Sequence, residues 1–297
     1  IGLADSTGVM NINGVADFSG ATIGLFAGSF AGNNNGFAVS AGELVLHVFN
    51  GAGSIGSAVL PIDVTTSKLT ITTEGGDAYI RANGAMSLQS VVLAGGNFGV
   101  SSNSTLNLAG IIDANTLSLN NTAGATNFSS GGNNKIAHLG AINAAGQVFS
   151  LKNTIALDQT GALIADTFNF TGTGGNTKLD TQNNVINNLG NVTVSGGDFS
   201  FFNAITGSPW ALSGLINAGS TNNVTLTSGA VGLDFGSGSI SANNFRAVSG
   251  NTTLDNVNLS GVLGTLTIEG DAVHPGVSIG GAGTGSSTGI SLAGVAQ

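Results

Sequence analysis

Short apolar bursts, broken by Gly, Asn, Thr and Ser, run the length of the chain. Within a burst the apolar residues alternate with polar or small ones. Leu69-Thr70-Ile71-Thr72 does so, and Ile80, Ala82, Gly84, Met86 and Leu88 continue the pattern at every second position. A period of two sends alternate side chains to opposite faces and predicts half-buried β-strands. No sustained i, i+3, i+4 apolar pattern appears, so no helix is predicted. Glu43-Leu44-Val45-Leu46-His47-Val48-Phe49 is the longest burst and reads as a strand buried on both sides or covered by a loop. Within Gly53–Val64, Pro61 cannot donate to a ladder and marks a strand start or an edge.

The bursts recur at long range. Gly95-Gly96-Asn97-Phe98 is echoed 51 residues later by Gly146-Gln147-Val148-Phe149, and 50 after that by Gly196-Gly197-Asp198-Phe199. A second landmark places Ile112, Ile164 and Ile216 at intervals of 52. Asn134–Gly140 lines up with Asn184–Gly190, and Thr116–Leu119 with Thr167–Phe170. Matched positions stay apolar while exchanging size and polar identity, so it is packing that repeats. A fixed period this long predicts a solenoid. The expected fold is all-β, a parallel β-helix in which each unit of roughly 50 residues makes two or three coils. Strands this short do not suit a sandwich. A propeller would want an aromatic signature in each blade, and Trp210 and Tyr79 are single residues. Corners call for Gly or Asn at positive φ, and the doublets Asn133-Asn134, Asn183-Asn184, Asn222-Asn223 and Asn243-Asn244 are placed there, with side-chain ladders between coils.

Residues 1–297 are read as one β-helix segment of a larger chain that starts at Ile1. Residues 1–50 form irregular first coils, 90–232 carry the clear repeats, and 275–297 are a Gly/Ser-rich end or linker.

Composition sharpens this picture. The chain is 41% hydrophobic yet only 7% charged, with 49 Gly. It folds, behind a surface of Asn, Thr, Ser and Gly rather than Lys and Glu. A net charge of −9 with no basic stripe argues against nucleic acid and against docking on anionic lipid. No apolar run is long enough to span a bilayer as a helix. The absence of Cys excludes disulfides, a thiol nucleophile and cysteine–zinc sites.

Candidate chemistry is sparse. Polysaccharide-cleaving β-helices need converging carboxylates, whereas the fifteen acids here are spread singly. Glu269 and Asp271 flank Gly270, and Asp113 and Asp166 occupy similar phases of successive repeats. His47, His138 and His274 keep no metal-ligand spacing. Gly280–Gly285 lacks the Lys and helix start that phosphate binding requires. Trp210 is a candidate sugar-stacking platform, read against a packing role behind Pro209. No catalytic, cofactor-binding or metal-binding residue is assigned, and no enzymatic activity is expected.

The recurring Gly-x-Ile-x-Ala phrase, the Gly-Gly-Asp-apolar and Gly-Gly-Asn-Phe turns and the segment Gly53–Val64 resemble the passenger repeats of filamentous-haemagglutinin-like exoproteins. The resemblance covers most of residues 50–270. It implies a right-handed β-helix, an extracellular or outer-cell-surface location in a Gram-negative bacterium, and export by two-partner secretion or as an autotransporter through an outer-membrane transporter. It also implies a shaft role in adhesion or biofilm formation, towards a host cell, an abiotic surface, a glycan or another copy. The family's Asn-Pro-Asn-Gly secretion motif is missing, since Asn33-Asn34-Asn35-Gly36 lacks the Pro. The alternatives from other classes are a glycan-cleaving β-helix enzyme and a self-assembling surface-filament subunit.

Overall fold

The computed structural model describes residues 8–11, 15–31, 38–229, 232–236, 238–249, 252–253 and 258–269. It contains strands and turns and, among these residues, no helix. The chain divides into two compact units, Ile1–Val148 and Phe149–Gln297. Each is a parallel β-solenoid, and together they hold about 11 turns.

In the first unit one coil advances by 18 to 25 residues, from Ile62↔Ile80 at the short end to Ala38↔Asp63 at the long end. Two coils therefore make up each roughly 50-residue repeat. In-register pairing stacks like on like: Ile62, Ile80, Val100, Leu119 and Ile142 form one inward column. Leu69, Leu88 and Leu108 form a second, and Ile71, Val91 and Ile112 a third. All are buried, and a fully buried side chain of this kind contributes about 1.5–3 kcal/mol. The strand Ile62–Thr72 starts immediately after Pro61, as its missing N–H requires.

Two expectations change here. Glu43–Phe49 is not buried on both sides: Leu44, Leu46 and Val48 point inward, while Val45, His47 and Phe49 are half-exposed. The outward aromatics cover one another, with Phe26 and Phe49 stacked at 5.9 Å and His47 4.2 Å from Phe49. The alternating run Ile80–Leu88 is two strands, Ala78–Ala82 and Met86–Val92, divided at Gly84 with φ of 113°. The two-residue period passes through the corner, so sequence alternation alone does not show the bend.

In the second unit the coil advances by 19 to 25 residues, from Leu233↔Thr252 to Phe199↔Val224. Its core is aromatic. Phe168 lies between Phe149 at 5.7 Å and Phe201 at 6.0 Å, and Phe201 continues to Trp210 at 5.4 Å. Of the second landmark, Ile112 and Ile216 are buried, but Ile164 is 37% exposed and its neighbours Leu163 and Ala165 point inward. The interval of 52 slips by one residue there, which turns a side chain to the other face. Leu254 and Val257, which extend the alternation in sequence, lie outside the described residues.

The phrase Gly-Gly-Asx-apolar is a corner. In Gly75-Gly76-Asp77-Ala78 and Gly95-Gly96-Asn97-Phe98 the first Gly takes positive φ, 130° and 102°. The second allows backbone to touch backbone: a Cβ on Gly76 would lie 1.7 Å from the Gly53 carbonyl oxygen. The Asx side chain then accepts a hydrogen bond from the following coil, Asn97 N to Asp77 Oδ1 at 2.8 Å. The apolar residue turns inward. The second unit keeps the close backbone approach and the Asx bond at Gly174-Gly175-Asn176 and Gly196-Gly197-Asp198, with Asp198 N donating to Asn176 Oδ1 at 3.0 Å, but of these four Gly only Gly175 takes positive φ. The ladder runs on: Asn223 N donates to Asp198 Oδ1, and Asn244 Nδ2 to Asn223 Oδ1.

The Asn doublets do not take positive φ. Among the described residues that conformation belongs to ten Gly and Ala94. Their work is side-chain bonding. Buried Asn134 accepts from Ile112 N and donates to Phe128 O. Buried Asn184 accepts from Leu163 N and donates to Leu179 O, the same pattern fifty residues later.

Candidate functional site

The residues singled out by sequence chemistry are spoken for. Trp210 is 0% exposed and packs against Phe201, with its indole N–H unpaired, so it is a core side chain and offers no face to a ligand. In the first unit Asp113 pairs with Lys135 at 3.6 Å. In the second, Asp166 accepts from Asn187 Nδ2 at 2.9 Å and Thr167 Oγ1 at 3.2 Å. Glu269 is paired with Arg246 at 2.6 Å, and that hydrogen-bonded guanidinium holds its carboxyl below the usual range. His47 lies among the Phe26 and Phe49 rings. His138 pairs in register with Thr116. Asp271, His274 and Gly280–Gly285 lie outside the described residues. Among the described residues no three His, Asp or Glu side chains gather as a metal site would require.

What the fold does build is a groove of about 410 Å³ on the outside of the first unit. It lies across the strands Ala78–Ala82, Phe98–Ser102 and Ile112–Asn120, and reaches Ala141 and Asn143. Outward positions of successive coils carry Tyr79, Gly99 and Ser118, in register. Glycine makes the trough: a Cβ on Gly99 would lie 2.4 Å from Tyr79 Cδ1, so the ring leans over a backbone with no side chain to lift it off. The neighbouring outward column runs Ser101, Asn120, Asn143, with Asn143 Nδ2 donating to Asn120 Oδ1 at 3.0 Å. Pro61 and Ala58 line the groove from the loop before Ile62, and Val59 beside them is 84% exposed.

The groove is mostly apolar, with the Tyr79 ring, Pro61 and Ala141, and carries a few hydroxyls and amides at Ser101, Ser118, Asn120 and Asn143. Tyr79 is half-buried; burial pushes its phenol pKa up, the nearby Asp77 carboxylate adds to this, and the hydroxyl donates weakly to Asp77 Oδ2 at 3.4 Å. The charges that border the groove, Asp77 beside Tyr79 and Arg81 in register with Ser101, do not line it. Asp63, buried, is neutralised by a two-pronged contact from Arg81, whose Nη2 donates to Oδ2 at 2.6 Å. A site of this size and mix is of the kind that takes a small polar molecule. Sequence reasoning missed it. The one available signal was small residues, Gly99 and Ser118, at outward positions in the coils after the chain's single Tyr. No family model, no curated protein and no solved structure matches this chain.

Proposed function

We propose that the chain is a structural segment of a bacterial surface adhesin, secreted or held at the outer cell surface, that mediates cell–surface or cell–cell adhesion or biofilm formation. One observation carries the reading. Coil after coil is clasped by Asn and Asp side chains over an apolar column, in both units, at a chain cost of only 18 to 25 residues per turn. Such stacking supplies stiffness and length without a catalytic apparatus, and its stability comes from packing and inter-coil hydrogen bonds that salt screens little. The resemblance of the Gly-Gly-Asx corners to filamentous-haemagglutinin-like passengers supports the same role.

Display of the chain on the surface of a non-adherent Gram-negative bacterium tests it. Attachment to epithelial cells or glass, or clumping in suspension, is expected to rise several-fold over an empty display scaffold. Display at full level with no gain on any surface would sink the proposal.

A further inference from the structure

We propose that the groove at Tyr79 is a binding site for a neutral saccharide; this deepens the adhesin reading and rests on it for its biological sense. The chemistry of the lining selects the class. A pyranose has a face of axial C–H groups that packs on an aromatic ring, and a rim of hydroxyls that both donate and accept. Tyr79 supplies the ring, which rests over the bare Gly99 backbone. Polar partners stand in a row. Ser118 Oγ makes no hydrogen bond in the structure, and the Asn120 amide accepts from Asn143 while its own N–H groups have no protein partner. Ser118 and Asn120 stand two residues apart on one strand, about 6.6 Å along it, a distance that one sugar with its hydroxyls spans. These donors are in place before any ligand arrives, so less order is lost on binding.

Charge narrows the choice further. None of the lining residues is an acid or a base apart from the phenol. The nearest ionic pair, Asp63 with Arg81, is internally satisfied. An acidic glycan would meet no free cation, since Arg81, in register with Ser101, is bound to Asp63, and Asp77 beside Tyr79 would repel it. A wholly apolar ligand would bury Ser118 and Asn120 against groups that cannot bond them, at a penalty for each.

The test uses the whole chain. Neutral oligosaccharides (cellohexaose, chitohexaose, mannohexaose) and acidic ones (hexagalacturonate, a heparin fragment) are titrated by calorimetry and by ligand-observed NMR. At least one neutral glycan is expected to bind. Tyr79→Ala is expected to weaken it about tenfold and Tyr79→Phe to leave it within about twofold. Asn120→Ala should cost about threefold, and Ser118→Phe, which fills the groove from an outward position, should abolish binding. Circular dichroism and Trp210 emission unchanged from the parent, together with the Tyr79→Phe result, separate a lost contact from a lost fold. Binding of acidic glycans only, no neutral glycan bound, affinities indifferent to Tyr79→Ala and Ser118→Phe, or a groove that instead pairs two copies in sedimentation would each overturn the proposal. If displayed Tyr79→Ala and Ser118→Phe adhere as well as the parent, the groove proposal fails and the adhesin reading stands. A Tyr79-dependent titration with no adhesion by the displayed parent means the reverse.

Discussion

The two units wind the same kind of coil around different fillings. In the first, the columns are mostly aliphatic, as in Leu69, Leu88 and Leu108, with Phe98 stacked on Leu117. In the second, Phe149, Phe168, Phe201 and Trp210 lean on one another through several layers. The corners do not differ in this way: Asp77 and Asn97 in one unit do what Asn176, Asp198 and Asn223 do in the other. The inward residue needs only to be apolar and to fit its neighbours. The corner residue must meet a backbone group at one fixed place, so its chemistry is held.

That contrast can be broken at its strongest point first. Phe201→Ala removes a ring flanked on both sides and is expected to cost about 3–5 kcal/mol in chemical denaturation, more than Leu88→Ala in the aliphatic unit at about 2–4. Equal losses would mean that ring-to-ring contact adds nothing beyond volume. Asn184→Ala comes next. It leaves the buried Leu163 N–H and the Gln159 amide without their acceptor, each worth about 1–3 kcal/mol, so a loss of about 2–4 kcal/mol is expected. Asn223→Ala, at a part-exposed rung of the ladder, should cost about 1 kcal/mol or less. If the two Asn variants prove alike, burial is not what makes the corner matter.

Further variants sharpen the picture. A Cβ at position 76 strikes backbone rather than a movable side chain, so Gly76→Ala should lose about 1–3 kcal/mol. Trp210→Phe gives up volume but also removes an indole N–H buried without a partner. The two terms oppose, and a change of less than about 2 kcal/mol is expected. The smallest effect is alkaline. Tyr79 has a folded pKa raised above its unfolded value, so the folded state holds the proton longer. Stability is complete below the unfolded phenol value of about 10 and falls as pH rises past it. Thermal melts across that range should therefore decline less for Tyr79→Phe than for the parent.

Much of the fold is legible because its causes are local. Alternation names the inward residues Leu69, Ile71, Leu117, Leu119, Phe168 and Phe170, all of them buried. The likeness of Asn134–Gly140 to Asn184–Gly190 is real at the level of single hydrogen bonds. Corners are harder to read. Gly84 bends the chain without disturbing the period of two, and coil length varies freely, so Ile164 falls on the outside although the interval places it with Ile112 and Ile216. The groove was invisible for a different reason. Tyr79, Gly99 and Ser118 are scattered in sequence and become neighbours only through a register that spacing alone does not fix. Trp210, whose setting after Pro209 favours a packing role over a sugar platform, is buried as that reading has it, but on the strand Trp210–Leu212 rather than in a loop.

The clasps point two ways. Ladder residues Asp77, Asn176 and Asp198 accept from the turn that comes after them, whereas buried Asn134, Asn184 and Asn203 accept from the turn that came before. Where both kinds occur, a layer is addressed by its predecessor and by its successor. Lengthening or shortening such a protein is tolerable only in whole layers: an insertion of a complete layer restores both sets of handshakes, while one of a few residues in a strand breaks both at once. Gene duplication in units of one or two layers is the mutational step this architecture favours.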